Sequence, residues 1–209
     1  MTSTLSEAPG GAAADLRLVP GPDPVDLPAA SRAVRALLVA LGQDVCSAHL
    51  ADTPRRVAAA LEEMLQPRPF SFTTFPNDEG YDGLVLVRDI AFTSLCAHHL
   101  LPFQGVAHLG YLPGQRLVGL SKLARVVELF SRRLQVQEAL TQQIAGWLQE
   151  SLSPRGVGVV LEAEHQCMSV RGIRAAGSRT VTSALLGLVR DQGPTREEFL
   201  SLTRGARSS

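Results

Sequence analysis

The sequence has few features that would place it outside the ordinary class of globular proteins. Aromatic residues make up 5% of its 209 residues, and 20 basic and 20 acidic residues cancel to a net charge of zero. That balance argues against nucleic-acid binding and against electrostatic binding to a membrane surface. No run approaches the roughly 18 consecutive apolar residues of a membrane span. We therefore expect neither nucleic acid nor a membrane as a partner.

Cysteine is also scarce, with three residues in the chain. The N-terminus lacks a basic segment followed by an apolar stretch, so we expect no signal peptide. Without secretory features, an odd number of cysteines predicts reduced thiols or metal ligands rather than disulfides. We therefore expect a cytoplasmic protein.

Lysine is nearly absent, because Lys122 is the single lysine among the 20 Lys and Arg residues. Abundant Ala, Leu, Gly and Arg suggest a GC-rich coding bias that replaces expendable lysines with arginines. A retained lysine then indicates a position that requires a compact ammonium rather than a planar guanidinium. The alternative is chance survival at the surface.

The order of predicted elements indicates an α+β fold. Residues 1–27 are rich in Ala, Gly and Pro without periodicity and predict a disordered tail; an N-terminal helical region at 28–66 and a main domain at 67–209 follow. Helices are predicted at 31–41, from Thr53, at 123–134 after a Ser121 N-cap, at 136–152, and from Thr195 with a capping box; strands at 84–92, 105–112, 157–168 and 180–189; and a connection at 66–83. This order favours an antiparallel sheet with two helices on one face.

Two short segments carry the strongest chemical signal: Cys-Ala-His-His at 96–99 and His-Gln-Cys at 165–167. The thiolates of Cys96 and Cys167 with the imidazole of His99 form a ligand set that favours Zn²⁺. Three protein ligands leave a fourth position for water, as in catalytic zinc sites. The spacing is also compatible with both cysteines as small core residues.

The two remaining histidines of these segments, His98 and His165, suit proton transfer because imidazole titrates near neutral pH. Period-2 geometry in the strand after Gly156 predicts that His165 and Cys167 point to the same face. An activated water beside two proton carriers implies hydrolysis.

A group of cations suits a polyphosphate ligand. Ser121, Lys122 and Arg125 lie at a helix start, where free backbone N–H groups favour anions. Arg171 and Arg174 follow the predicted Cys167 strand. Cations at separate chain positions in a neutral protein can bind phosphates, and they can equally be solvated surface charges.

Gln137 and Glu138 open the next helix. An acidic residue in a first helical turn is commonly dipole compensation. A carboxylate can also accept two N–H bonds from the N1 and N2 edge of guanine, which would select that base.

Together these residues resemble a known family. Five segments, at 92–99, 119–125, 135–144, 165–167 and 171–174, are similar to GTP cyclohydrolase I, and the likeness extends from about residue 52 to residue 200. The resemblance implies a tunnelling-fold (T-fold) enzyme, assembled as a toroidal homodecamer with active sites between subunits. It implies conversion of GTP and water to 7,8-dihydroneopterin triphosphate and formate, the first step toward folate or tetrahydrobiopterin.

The resemblance also implies a role for each site residue. Cys96, His99 and Cys167 would bind zinc; His98 and His165 would form the acid/base pair, with Ser121 assisting; Ser121, Lys122, Arg125 and Arg171 would hold ribose and triphosphate; Gln137 and Glu138 would hold guanine; and Arg56 would contact phosphate from a neighbouring subunit. Ala97 stands where the family usually has Glu, and Ala59 where a basic residue is frequent. Two alternatives stay open: a paralogue serving a secondary pterin or deazapurine pathway, and a non-catalytic zinc-containing scaffold that binds a nucleotide.

Overall fold

A computed structural model describes residues 15–204 of the chain. Its strands are β1 Asp15–Val19, β2 Phe70–Pro76, β3 Val85–Cys96, β4 Pro102–Leu112, β5 Arg116–Val118, β6 Leu134–Gln135, β7 Gly156–His165 and β8 Thr180–Gly187. Its helices are α1 Leu27–Ala40, α2 Thr53–Leu65, α3 Leu120–Ser131, α4 Gln137–Leu152, α5 Gln166–Ser169, α6 Leu188–Asp191 and α7 Gly193–Arg204.

The strands form two sheets. A five-stranded sheet has the order β6-β3-β4-β7-β8, and a three-stranded sheet has the order β1-β2-β5. All pairings are antiparallel except the short parallel pairing of β6 with β3. The predicted α+β class with an antiparallel sheet is therefore confirmed.

Helices α3 and α4 pack on one face of the large sheet, as predicted. Their apolar stripes recur at helical spacing and bury against alternate residues of the strands. The shared core includes Leu123, Val126, Leu140, Ile144 and Leu148 from the helices and Phe92, Phe103, Leu109, Val159 and Leu161 from the strands. Each such side chain stabilises the fold by roughly 1.5–3 kcal/mol on burial.

The other face of the sheet is partly covered by α7, whose Phe199 is fully buried. Gly110 and Gly158 provide the space for this ring, because a Cβ atom at Gly158 would lie 2.7 Å from it. The terminal helix is therefore fixed to the sheet by an aromatic ring over two glycines.

Two segments expected to be irregular form paired strands. β1 lies within the predicted tail at 1–27 and pairs with β2, which lies within the predicted connection at 66–83. Disorder is therefore the wrong prediction for residues 15–19, while residues 1–14 lie outside the described part. The buried positions Phe70, Phe72 and Thr74 alternate along β2, which is the period-2 signal that sequence reasoning missed.

Helix α1 begins earlier and packs less deeply than predicted. It begins at Leu27 because the Asp26 carboxylate accepts a hydrogen bond from the Ala29 N–H at 2.9 Å, a typical N-cap. From its helical spacing we expect Leu37 and Leu41 to be buried, but Leu37 and the C-cap residue Leu41 are 58% and 63% exposed in the single chain.

Several element boundaries also differ from prediction, among them the end of β7 and the starts of α3 and α7. β7 ends at His165 rather than at 168, because the next residue would face Pro102, which has no N–H to donate to the ladder. Helix α3 begins at Leu120 with Gly119 as its N-cap, so Ser121 lies inside the helix. Helix α7 begins at Gly193, and the predicted capping box at Thr195 is therefore wrong.

The strand register gathers one end of the sheet into a single corner. Leu95 at the end of β3 pairs with Pro102 at the start of β4, and Phe103 pairs with His165 at the end of β7. Because β3 and β7 are both antiparallel to β4, their last residues emerge at the same end of the sheet, on either side of the start of β4. β6 lies on the outer side of β3 and leads directly into α4.

Candidate active site

Five residues at this end of the sheet form what we call the metal corner: Cys96, His98, His99, His165 and Cys167. The ligand atoms of Cys96, His99 and Cys167 all lie within 4.8 Å of one another. They are the single group of three or more His, Cys, Asp or Glu residues arranged for a metal ion that residues 15–204 contain.

A tight turn after β3 fixes two of these ligands. The Cys96 carbonyl accepts hydrogen bonds from the N–H groups of His99 and Leu100, and the Cys96 N–H donates to the Leu101 carbonyl. Leu100 adopts a positive φ of 56°, which is uncommon for a leucine and is imposed here by the sharp turn. The Ala97 N–H donates to the Gln135 carbonyl, so β6 holds the turn from outside.

The third ligand comes from α5 rather than from a strand. Because β7 ends at His165, the expected common face of His165 and Cys167 does not exist, and the prediction of a shared strand face is wrong. The single turn of α5 nevertheless places the Cys167 thiol beside Cys96. The three ligands therefore meet by a helical turn rather than by strand alternation.

The distances and chemistry of the three ligands fit a tetrahedral metal ion. The Cys96 Sγ atom lies 3.8 Å from Nδ1 of His99, close to the roughly 3.6 Å that tetrahedral Zn–S and Zn–N bonds would impose. Burial raises the pKa of the Cys167 thiol, and the adjacent Cys96 raises it further. A bound cation would reverse that effect, since coordination deprotonates a thiol outright.

His98 is close to the ligands without belonging to the group. Its Nδ1 atom lies 3.9 Å from the Cys96 Sγ atom, and its side chain is exposed. The rings of His98 and His99 meet edge to face with centroids 6.3 Å apart. His98 is therefore placed to exchange protons with a bound molecule.

His165 is held more firmly than His98. Its ring stacks on Phe103 at a centroid distance of 4.5 Å and an interplanar angle of 3°. Its Nε2 atom lies 2.7 Å from the Oε1 atom of Gln137. Burial lowers the pKa of His165, and the nearby Glu138 carboxylate offsets part of that change.

Gln137, which the family resemblance pairs with Glu138 for binding guanine, is buried in the single chain. Its side chain is 1% exposed and lies in the core beneath His165. The resemblance groups it with Glu138, but Glu138 is exposed on the first turn of α4. The two residues therefore face different environments.

The residues expected to hold ribose and triphosphate, with Glu138, are called the polar set: Ser121, Lys122, Arg125, Glu138 and Arg171. Ser121, Glu138 and Arg171 are exposed, whereas Lys122 and Arg125 are half-buried. Ser121 and Lys122 lie in the first turn of α3, and Arg171 lies just after α5. Arg174, with a φ of 54°, lies in the same loop as Arg171.

Arg125 is one of three arginines around a single carboxylate. Glu128 accepts hydrogen bonds from Arg68 at 2.7 and 3.0 Å and from Arg125 at 2.9 Å, and Arg132 lies 3.5 Å away. Burial alone would raise the pKa of Glu128, but the arginines outweigh it and lower the pKa to about 2. This cluster lines a cavity of about 910 Å³ that none of the metal-corner residues lines.

Arg56 lies apart from both groups. It is exposed on α2 and forms an ion pair of 2.9 Å with Asp52. Ala59 lies one turn further along the same helix, and it is half-buried. No contact in the described part of the chain brings Arg56 to the metal corner, so a role in the site requires a second copy of the chain.

Comparison with known proteins identifies the family. The family model of GTP cyclohydrolase I matches residues 30–204. The chain belongs to the GTP cyclohydrolase I family. Its sheet with two helices on one face is therefore the T-fold, and the protein is an enzyme of the hydrolase class.

Individual relatives match over most of their length. GTP cyclohydrolase 1 of Synechococcus sp. strain JA-2-3B'a(2-13) is 52% identical over 188 residues, covering 88% of this chain and 82% of the relative. The Aquifex aeolicus protein of the same name is 49% identical and covers 87% and 98%. The rat protein of that name is 47% identical and covers 86% and 76%.

Three features of the site gave no clear signal in the sequence. The stacking partner Phe103 and the hydroxyls of Thr141 and Thr182 around Gln137 are brought in by strand pairing and helix packing. Arg68 reaches Glu128 across 60 residues of chain.

Over residues 15–204, no helix combines the length and apolar character needed to cross a membrane.

Proposed function

We propose that this chain binds Zn²⁺ and hydrolyses GTP to 7,8-dihydroneopterin triphosphate and formate. The observation that carries the proposal is the metal corner, in which three metal-ligating side chains converge beside two further histidines. A structural zinc site is closed by a fourth protein ligand. Three ligands with two histidines alongside are the composition that a hydrolytic site requires.

Zinc is the ion that the donor set favours. Two thiolates and one imidazole are soft and intermediate ligands, which suit zinc better than magnesium or calcium. When bound, the ion would lower the pKa of a coordinated water to about 7 and so supply a nucleophile at neutral pH. Cys96, His99 and Cys167 would hold it.

The two histidines would handle protons during the opening of the guanine imidazole ring. Water adds to C8 of guanine, and His165 delivers a proton to N7, which makes C8 electrophilic. A second hydrolysis releases C8 as formate. The ribose ring then opens, undergoes an Amadori rearrangement and closes onto the free amine with loss of water, so the net reaction consumes one water. His98 and Ser121 would assist these later proton transfers.

The polar set would position the nucleotide. Lys122, Arg125 and Arg171 supply charge for the triphosphate, and the exposed Glu138 carboxylate offers two acceptors to the N1–H and N2–H₂ groups of guanine. Arg125 keeps donors free for phosphate, because the Glu128 contact uses one of its terminal nitrogens. Arg56 would contribute a phosphate contact from a neighbouring subunit.

Assembly into a toroidal homodecamer with active sites between subunits is part of this proposal. Large apolar side chains close in sequence to the site residues are exposed in the single chain: Leu100, Leu120, Leu134, Met168, Val170 and Ile173. Apolar surface of this extent around a polar site is typical of a protein interface. The reaction would be the first step toward folate or tetrahydrobiopterin. The enzyme would act in the cytoplasm.

The test is incubation of the purified protein with GTP. We expect a pteridine product, detected by its fluorescence, and formate to form in equal molar amounts. We also expect about one zinc ion bound per chain. Zinc without turnover would instead support a scaffold role. Formate with a different pterin would support a paralogue, for which the exposed Ala97 is the specific feature.

A further inference from the structure

The amide of Gln137 makes an unusually complete set of hydrogen bonds. Its Nε2 atom donates toward the Thr180 carbonyl at 3.0 Å, the Thr182 hydroxyl at 3.1 Å and the Leu161 carbonyl at 3.3 Å. Its Oε1 atom lies 2.7 Å from Nε2 of His165. The side chain is 1% exposed, so water does not compete for these contacts.

These contacts determine which way the amide points. Side-chain amide oxygen and nitrogen are distinguished by their partners rather than by shape. If the amide were turned over, Oε1 would face two carbonyl oxygens, of Thr180 and Leu161, and only the Thr182 hydroxyl among the described residues could donate to it. A buried oxygen among acceptors costs about 1–3 kcal/mol. The nitrogen therefore faces β7 and β8, and the oxygen faces His165.

A hydroxyl chain supports the same orientation. The Thr141 hydroxyl donates to the backbone carbonyl of Gln137 at 2.8 Å, so the single proton of this hydroxyl is used there. The Thr182 hydroxyl, 2.7 Å from the Thr141 oxygen, must then be the donor in that contact. Thr182 is left with acceptor capacity, which the Gln137 Nε2–H fills. Each hydroxyl proton then has one acceptor, and the two Nε2 hydrogens of Gln137 are shared among three acceptors.

Because the Gln137 oxygen can only accept, the His165 Nε2 atom must carry a hydrogen. We propose that Gln137 acts on the reaction through His165: it holds the neutral imidazole as the Nε2–H tautomer and leaves Nδ1 as the nitrogen that exchanges protons with the substrate. The inference rests on the proposed function. Gln137 is thus a positioning residue, and guanine is contacted by Glu138 without the Gln137 side chain.

The arrangement serves both states of the ring. When Nδ1 gains a proton, Nε2 keeps its own, so the Gln137 contact persists throughout a proton transfer. Phe103 fixes the plane of the ring by parallel stacking, and Gln137 fixes its rotation within that plane. No hydrogen bond to the Nδ1 atom is found within residues 15–204. Two independent contacts therefore determine where the exchangeable proton lies.

The tautomer can be observed directly in the parent holoenzyme. Protein labelled with ¹⁵N-histidine contains five histidines, and the His165 signals are those missing from His165→Ala in magic-angle-spinning NMR. At mildly alkaline pH, where neutral imidazole dominates, we expect a protonated Nε2 and an unprotonated Nδ1. A protonated Nδ1 with an unprotonated Nε2 would overturn the inference.

Gln137→Met tests the consequence for the reaction, with Gln149→Met on the same helix as the matched control. We expect Gln137→Met to lose at least about tenfold in kcat while KM for GTP stays within about threefold, and His165 to show a mixture of tautomers. Gln149 lies near the other end of α4, where its Nε2 atom donates to the Pro154 carbonyl at 3.2 Å and its buried Oε1 atom has no hydrogen-bond partner, so its replacement should leave both readouts unchanged.

The outcomes separate this inference from the proposed function. A higher KM with unchanged kcat and an unchanged His165 tautomer would show that the Gln137 side chain binds guanine, which overturns the inference and leaves the cyclohydrolase activity intact. A parent enzyme that does not turn over GTP would overturn the proposed function itself. If Gln137→Met fails to fold, the spectrum of the parent holoenzyme decides alone.

Discussion

The metal corner and the polar set differ in how much of each is completed by one chain. In the metal corner, three ligand atoms lie within 4.8 Å of one another, and His165 is fixed by the Phe103 ring and the Gln137 side-chain amide. In the polar set, Ser121, Glu138 and Arg171 are exposed on three separate elements. The residues proposed for the reaction are thus organised within the subunit, whereas those proposed to bind the nucleotide lie at its surface.

The difference follows from what each task demands. A metal ion needs its ligands within about 2.0–2.3 Å simultaneously, which only a packed arrangement inside one fold provides reliably. Phosphate charge is attracted over longer distances, and long flexible cations can adjust to it. Binding residues can therefore come from several surfaces, including those of neighbouring subunits, without loss of the metal site.

The strongest test of the comparison removes one metal ligand. Cys167→Ala should lose both zinc and GTP turnover, because two remaining ligands do not make a stable site. Zinc content per chain and formate release provide the two measurements. Cys46→Ala is the matched control, since Cys46 is an exposed thiol outside the metal corner, and it should retain both. Full zinc occupancy in Cys167→Ala would mean that the ligand assignment is wrong.

Removal of the histidines should separate proton transfer from metal binding. His98→Ala and His165→Ala should retain zinc and lose roughly 10²-fold or more in turnover, the usual contribution of general acid/base catalysis. We expect His165→Ala to block ring opening and His98→Ala to let a ring-opened intermediate accumulate, as measured by chromatography of the reaction products.

The control for these variants is His49→Ala, because His49 is exposed and lies between α1 and α2. It should match the parent in zinc content and in rate. If the His98 and His165 variants both turned over GTP at the parent rate, the metal corner would bind metal without supplying protons, and the proposed mechanism would be wrong.

The sequence predicted which residues form the metal corner better than it predicted how they are arranged. Residue type and spacing were enough to group Cys96, His99 and Cys167, because thiolates and imidazole are few in this chain and their ligand chemistry is specific. The predicted route to that grouping was wrong for Cys167. A proline on the neighbouring strand ends β7 at His165, and strand pairing of that kind is non-local information.

The parts of the fold that could not be predicted depend on distant partners. β1 is recognised as a strand only when it pairs with β2, with Val19 opposite Phe70 across 51 positions of chain. The resemblance implies that Gln137 and Glu138 both hold guanine, and only packing between α4 and β8 shows that the Gln137 side chain is directed toward His165. Adjacent residues on a helix face different directions, so sequence proximity is weak support for a shared role.

Glu138→Gln tests whether the polar set selects the base. The carboxylate provides acceptors for both N1–H and N2–H₂ of guanine, and the loss of a charged hydrogen bond costs about 1.5–3 kcal/mol. Competition between GTP and ATP would therefore shift toward ATP. Glu150→Gln, an exposed carboxylate change near the other end of α4, should leave the preference unchanged. An unaltered preference in Glu138→Gln would reduce Glu138 to a helix-end charge.

The smallest expected effect concerns Lys122, the single lysine of the chain. It is half-buried in the first turn of α3, beside the exposed Ser121. An ammonium is a compact charge on a flexible stem, while a guanidinium is larger, planar and fixed in its fork. In a half-buried position that is proposed to hold substrate, the larger group should displace ribose or phosphate from the geometry that the metal corner requires.

We therefore expect Lys122→Arg to fold and bind zinc normally but to lose at least about tenfold in kcat/KM, equivalent to roughly 1.4 kcal/mol of transition-state stabilisation. The reverse exchange at an exposed position of α6, Arg190→Lys, should change nothing, which separates the site from general tolerance to arginine. Parent-like kinetics in Lys122→Arg would show that the lone lysine is an accident of composition. The polar set would then depend on charge alone, and the contrast with the metal corner would be sharper still.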